Sequence, residues 1–305
     1  MVANNQDNEL LAKVADMSGA GAINIRKNGK LIERKITDDI TISNKEDGKG
    51  IDIFIKENAK DALVLIPVII TESGLSDVVY NDFHVGKNAT VKIIAGCAVQ
   101  NPGDLESSHQ GIHRFFVGEN AKVTYIEAHY GTGKGAGHKR LDPITEIILE
   151  SGASMDIDTV QIEGVDSTER KTNALLKSGS TLAVSEKIKT TKAQSAITDF
   201  SIMLEGEGSS AHVVSRSVAE GESYQEFRSN VIGKAGCYGH VECDAILKDK
   251  GRVKAIPEVD ACHVDANLIH EATIGKIAGD QLTKLMSLGL SSEEAEAEII
   301  KGFLK

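Results

Sequence analysis

The sequence predicts an all-β protein built as a parallel β-helix, with short helical segments at its two ends. Three observations lead there. Val85-Gly-Lys-Asn-Ala-Thr-Val91 recurs as Val117-Gly-Glu-Asn-Ala-Lys-Val123 and again as Leu149-Glu-Ser-Gly-Ala-Ser-Met155, each offset by 32 residues. Repeats of this length mark stacked units that bury their apolar faces against one another. Within the units, Thr181–Ile188, Ala211–Arg216 and His240–Leu247 are rich in β-branched residues and alternate with period two, which selects strands over helices. Finally, the chain has 29 Gly, no Trp, 7 Phe and 5 Tyr, so small and aliphatic side chains must fill the core, as suits a regular strand stack.

The elements follow in order. Leu10, Val14 and Met17 share one face of a helix over Glu9–Met17, expected to cap the open end of the first coil. Ile23–Ile32 reads as a hairpin turning at Asn28-Gly29. Looser copies of the repeat at Leu176–Leu182, around 206–213 and around 233–241 carry the solenoid on. The expected organisation is an N-terminal helix and hairpin cap over 1–50, a β-helix core over 51–278 with no internal boundary, and a helical segment over 279–305. In that last segment Leu282, Leu285 and Met286 fall at helical spacing before Gly289. Ser291-Ser-Glu-Glu294 is a capping box opening a second helix with Ala295, Ile299 and Phe303 on one side.

Composition narrows the function. A balance of 34 basic against 45 acidic residues, net −11, with no basic block, speaks against nucleic acid or an anionic membrane as partner. The longest apolar run, Ala62–Ile70, is nine residues and contains Pro67, against the roughly 20 needed to span a bilayer. The first residues lack the basic start and apolar stretch of a secretory signal, so a cytoplasmic location is expected. Cys97, Cys237, Cys243 and Cys262 form no Cys-x-x-Cys pair, and a special cysteine here would act as a thiolate.

Several residues could carry chemistry. Cys97, His109 and His113 lie within one repeat, and His109-x-x-x-His113 could place two ligands on a helical turn. Solvated histidines after the Gln100-Asn-Pro-Gly-Asp loop are the favoured alternative. Cys262-His263 is a soft-ligand pair that also fits a strand-edge coincidence. Gly131-Thr-Gly-Lys-Gly-Ala-Gly137 lacks the Gly-Lys-Ser/Thr of a P-loop, so no nucleotide is expected to bind this chain directly. Cys243 in Val241-Glu-Cys-Asp-Ala245 alternates onto the apolar face, where a buried free thiol is common. His270-Glu271 can be read as a solvated pair at the exit from the last coil.

His240-Val-Glu-Cys-Asp-Ala-Ile-Leu247, Ile256-Pro-Glu258, Ile269-His-Glu-Ala-Thr-Ile-Gly-Lys-Ile277 and the ending Asp280–Phe303 closely resemble the SufB/SufD family of iron–sulfur cluster assembly scaffolds. The likeness is specific over the C-terminal quarter and holds at the level of pattern from Asp52 onward. It implies a right-handed β-helix that dimerises as a homodimer or with a SufD-like partner. It also implies C-terminal helices that carry the SufC-type ABC ATPase, a transient Fe–S cluster as cargo, and apo Fe–S proteins as acceptors. Catalysis is expected in the ATPase and not in this chain. The resemblance assigns Cys243 to cluster assembly or sulfur carrying, with His270 and, more weakly, Glu271 as further metal ligands. Having all three together, the chain looks like SufB or like a short archaeal-type form serving both roles.

Two departures from the SufB pattern stand out. In Val123-Thr-Tyr-Ile-Glu-Ala-His-Tyr130, His129 stands where SufB-type members often carry a sulfur-accepting cysteine. Ile269 stands where an acidic residue commonly precedes the histidine. The competing readings are a catalytic β-helix protein, metal-dependent or polysaccharide-processing, and a structural solenoid without metal. The absence of Trp argues against a carbohydrate enzyme.

Overall fold

The structure, a computed structural model, describes residues 5–15, 18–19 and 21–305. Turn chemistry sets the coil. Asn88, Asn120, Gly152, Gly179 and Gly208 occupy equivalent turn positions with φ of 57, 55, 69, 65 and 69°, a left-handed conformation open to Gly and tolerated by Asn. The next residue must be small, because it turns into the stack: Ala89, Ala121, Ala153, Ser180 and Ser209 are all buried. A strand then starts each time.

Helix α1 (Asn5–Val14) comes first, followed by β1 (Ala22–Lys27), β2 (Lys30–Lys35), β3 (Ile40–Asn44) and β4 (Gly50–Ile55). The coils continue through β5 (Ala62–Ile70), β6 (Ser76–Val85), β7 (Thr90–Gln100), β8 (Ser107–Val117), β9 (Lys122–Thr132), β10 (Lys139–Leu141) and β11 (Ile144–Leu149). They end with β12 (Ser154–Glu163), β13 (Ser167–Leu176), β14 (Thr181–Thr190), β15 (Ser195–Leu204), β16 (Ser210–Ala219), β17 (Tyr224–Gly233), β18 (Tyr238–Leu247), β19 (Arg252–Ala261) and β20 (Asn267–Gly275). Helices α2 (Gly279–Ser287) and α3 (Ser292–Phe303) close the chain.

The strands form a β-solenoid of about 8 turns. One sheet runs β2-β1-β5-β7-β9-β12-β14-β16-β18-β20, and the other β19-β17-β15-β13-β10-β8-β6-β4-β3, with β11 beside β13 and β8. The hairpins β1–β2 and β3–β4 pair antiparallel, while successive coils pair parallel, as in β7–β9 and β16–β18. The repeat seen in the sequence is the register of the stack: Val91, Val123, Met155 and Leu182 lie directly over one another. Val85, Val117, Leu149, Leu176 and Leu204 do the same in the other sheet.

One apolar cluster runs through the interior from Ala22 to Cys243, including Phe83 and Phe115 stacked at 4.6 Å. Ala22, Ile40 and Ile42 share it, so the stack begins before residue 51. The hairpin turn is as expected, with Asn28 and Gly29 at φ of 49 and 75°.

The N-terminal helix differs from expectation. It ends at Val14, and Met17 lies outside the described residues. Nor does it cap an open end: Leu10, Leu11, Val14 and Ala15 pack on Leu65, Ile69, Ile94 and Ala98, which point away from the interior. That accounts for the unbroken apolar run of β5, a strand buried on both faces.

At the other end the Ser291–Glu294 capping box forms as read, with both reciprocal hydrogen bonds. Ala295 is buried as expected and Phe303 is half-buried against the sheet, but the buried partners beside them are Ile300 and the C-cap Leu304, with Ile299 only half-buried; Ile300, Phe303 and Leu304 pack with Val218 on the outside of the sheet. Helix α2 has no buried residue. The glycine-rich loop is explained by close stacking of backbones. A Cβ at Gly133 or Gly135 would come within 2.1 Å of the Asn101 or Gly103 carbonyl oxygen. No described helix is long and apolar enough to cross a membrane.

Candidate functional site

Strand alternation sends every second side chain inward, and in the middle coils several of these are ionisable. His109 and His113 lie on β8, each 6% exposed. They occupy neither a helical turn nor a solvated loop, because the preceding loop is short and Ser107 already begins the strand. Burial is tolerated because each ring is partnered: His109 Nδ1 lies 3.1 Å from Asp77 Oδ2, and His113 Nδ1 lies 2.9 Å from the Tyr125 hydroxyl. Tyr125 donates to Glu127 Oε1 at 3.0 Å. Arg170 bridges Glu127 and, at 3.6 Å, Glu186. Glu186 in turn accepts from Thr198 at 3.0 Å and Ser215 at 2.7 Å.

Ser215 pairs in register with Cys243 on β18. A polar seam therefore runs through the solenoid interior along Glu127, Thr159, Glu186 and Ser215 on neighbouring strands and arrives at the Cys243 thiol. Beyond Cys243 only β20 remains in that sheet, contributing Ala272. Tyr125, Glu127, Arg170, Glu186, Thr198 and Ser215 were not singled out from the sequence. The available signal was phase, since Glu127 and Glu186 occupy the same alternation set as Val123 and Val184.

The seam's protonation follows from burial and pairing. Burial favours the neutral form of Glu127, but Arg170 and the neighbouring His129 overcome it and hold the carboxyl well below its usual range. At Glu186 burial wins over Arg170 and the pKa rises. Burial lowers His113 to about 4 and raises the Cys97 thiol well above its ordinary value. His113 therefore folds as neutral imidazole. Its folded pKa lies below the unfolded value of about 6.5, so its contribution is full above that pH and is lost on acidification toward 4. We predict a loss of about 3 kcal/mol of stability between pH 7 and 4 from this group. His113→Gln should flatten that part of a pH series of unfolding midpoints, and an unchanged slope would count against it.

The other candidates fall as follows. Cys97 on β7 stacks in register with His129 on β9, and both line a cavity of about 10 Å³ with His109, His113 and Glu127, room for about one water. His129 is buried, with Nδ1 3.3 Å from both Gln161 Oε1 and Arg170 Nη2. Cys262 and His263 are exposed in the turn after β19, and His263 Nδ1 accepts the Asp265 amide at 3.2 Å. Cys243 is 1% exposed, and burial followed by the fields of Glu186 and Asp244 pushes its pKa up to about 12. His270 stacks beside Val241 and has neither ring nitrogen hydrogen-bonded, while burial and then His240 lower its pKa. Its two ring nitrogens are buried, although the residue as a whole is only half-buried. Glu271 alternates to the outside, 3.8 Å from His240 Nε2 and 67% exposed.

The polar interior ends at the Cys243 thiol, and the His270 imidazole lies on the next strand opposite Val241, two positions along from it; sulfur and imidazole are donors suited to soft or borderline metal ions. The family model described as SUF system FeS cluster assembly, SufBD core domain, matches residues 68–303, and the chain belongs to this family. An iron-sulfur cluster assembly SufBD family protein of Archaeoglobus fulgidus is 29% identical over 277 residues, covering 90% of this chain and 73% of the relative. A Pyrococcus horikoshii relative is 32% identical over 268 residues, covering 85% and 78%. A Methanothermobacter thermautotrophicus relative is 29% identical over 241 residues, and there the chain spans 57% of the relative's length.

Proposed function

We propose that this chain is the non-catalytic scaffold on which a nascent Fe–S cluster is built and passed to apo acceptor proteins, in the cytoplasm, with ATP hydrolysis supplied by a SufC-type partner. The observation that carries this reading is the position of Cys243, an inward thiol at the end of a buried polar seam, one strand from the end of its sheet. Iron takes thiolate sulfur, and imidazole or carboxylate at the remaining positions makes a cluster easier to release than four thiolates would. His270 is ready for that role, since its lowered pKa keeps it neutral and its nitrogens have no hydrogen-bond partner. Metal binding must displace the thiol proton, so cluster assembly should strengthen with rising pH. Anaerobic incubation with iron and sulfide tests the proposal: visible absorption and acid-labile sulfide retained on the protein are expected, and neither would be seen if the chain were a purely structural solenoid.

Dimerisation follows from the open end of the stack. Strands β19 and β20 of 10 and 9 residues are the outermost of their sheets, and Val259 on β19 and Ile274 on β20 are 53% and 38% exposed. Such edges pair with another chain unless covered. Light scattering at micromolar concentration should give a homodimer, or a heterodimer when a SufD-like partner is supplied; a persistent monomer in both cases would contradict this.

The ATPase surface should lie on α2. Because α3 is occupied against the sheet, the large apolar side chains left exposed in this segment are Met286 on α2 at 46% and its C-cap Leu288 at 76%, apolar surface of the kind that enters a partner groove. Met286→Glu with Leu288→Glu should abolish co-purification of the ATPase while leaving the circular dichroism intact. Retained binding would move the interface elsewhere.

A further inference from the structure

The same alternation that turns Cys243 inward turns Glu242 outward, into a second cluster of donors on the outer face of the sheet. His212 on β16 and His240 on β18 are register partners, and their rings stack with centroids 5.1 Å apart. Both approach one carboxylate oxygen: Glu242 Oε1 is 3.1 Å from His212 Nε2 and 3.7 Å from His240 Nδ1. Donor atoms of His212, His240 and Glu242 all lie within 4.8 Å of one another.

Donors around a tetrahedral divalent ion with bonds of about 2.0–2.2 Å sit roughly 3.3 Å apart, so little movement would close this set on an ion. A hydrogen bond explains the His212–Glu242 contact alone. It leaves His240 unexplained, because Nδ1 is beyond bonding distance of Glu242 and Nε2 is buried with no hydrogen-bond partner. Glu271 Oε2 stands 3.8 Å from that Nε2, where a carboxylate would orient a metal-bound imidazole from behind.

We propose that His212, His240 and Glu242 form a mononuclear site for a borderline divalent transition ion, oriented by Glu271. Two imidazoles and a carboxylate select Zn²⁺, Co²⁺ or Fe²⁺ over the oxygen-loving Mg²⁺ and Ca²⁺. The site is separate from the thiol on the inner face of the same strand and does not depend on the scaffold reading.

Anaerobic titration with Co²⁺ alone, without sulfide, tests it by the ligand-field absorption of the bound ion and by calorimetry. One equivalent per chain is expected in the wild type and in Cys243→Ser, with no competition from Mg²⁺. His212→Ala removes a side chain that is 50% exposed and should leave the fold intact; it and Glu242→Gln should each weaken Co²⁺ binding at least about tenfold. No Co²⁺ binding by the wild type, unchanged binding in His212→Ala, or binding lost in Cys243→Ser would each overturn the proposal. Cluster reconstitution in the His212→Ala protein reports separately on the scaffold function.

Discussion

Replacing Cys243 by Ser is expected to abolish stable cluster assembly while leaving the solenoid folded. Serine keeps the size of the side chain at a position that is 1% exposed and packed in register beside Ser215, so the change should cost about 1–2 kcal/mol of stability. Its hydroxyl is a hard, far less acidic donor than the thiol, and a soft iron site loses its sulfur ligand. Labile sulfide retained after anaerobic reconstitution and desalting should fall at least about tenfold, a fall comparable to or larger than second-shell losses in metal sites. Cys97→Ser and Cys262→Ser should reconstitute like the wild type. Loss in either of those with retention in Cys243→Ser would place the cluster at the other end of the seam or at the Cys262-His263 turn. His270→Ala should weaken retention less, because water or the partner protomer can fill an imidazole position.

The second large effect is on the fold. Arg170→Ala is expected to cost about 3–5 kcal/mol, because it strands two buried carboxylates. Arg170, Glu127 and Glu186 are 3%, 3% and 1% exposed, with Arg170 spanning the two glutamates. Removing the guanidinium leaves Glu127 without the charge that keeps it ionised, and both carboxyls must then take up protons or stay charged in an apolar interior. Urea unfolding followed by circular dichroism measures the loss. Adding Glu127→Gln to Arg170→Ala should recover part of it, since the amide needs no counter-charge. A single variant with wild-type stability would mean that the seam is not holding these charges.

Much of the fold was legible because a solenoid writes its register into the sequence. The residues at 85, 117 and 149, and at 91, 123 and 155, match in type because they touch in space. The Ser291 capping box and the Asn28-Gly29 turn are local chemistry and needed no tertiary information.

What was misread depended on partners. Helix α1 showed an apolar face, but its pattern could not say that the face meets the outside of a sheet instead of an open coil end. Residues His109 and His113 looked solvated because inward polar residues break the apolar alternation that identifies a strand. Only the stack reveals Asp77 and Tyr125 opposite them. Arg170 and Glu186 are 16 positions apart in sequence, and their pairing arises only when coils are laid on one another. The inward position of Cys243 was legible from its alternation, whereas its place at the end of a polar seam was not.

On the proposed function, a cluster is held by the Cys243 sulfur at the end of that seam. An anomalous-scattering map at the iron edge, from crystals of the protein loaded with iron and sulfide under anaerobic conditions, locates the iron. An iron–sulfide peak bonded to Cys243 Sγ on the inner face of β18 is expected. A loaded protein whose iron–sulfide peak sits instead at Cys97 or Cys262, with the Cys243 thiol unligated, would contradict it.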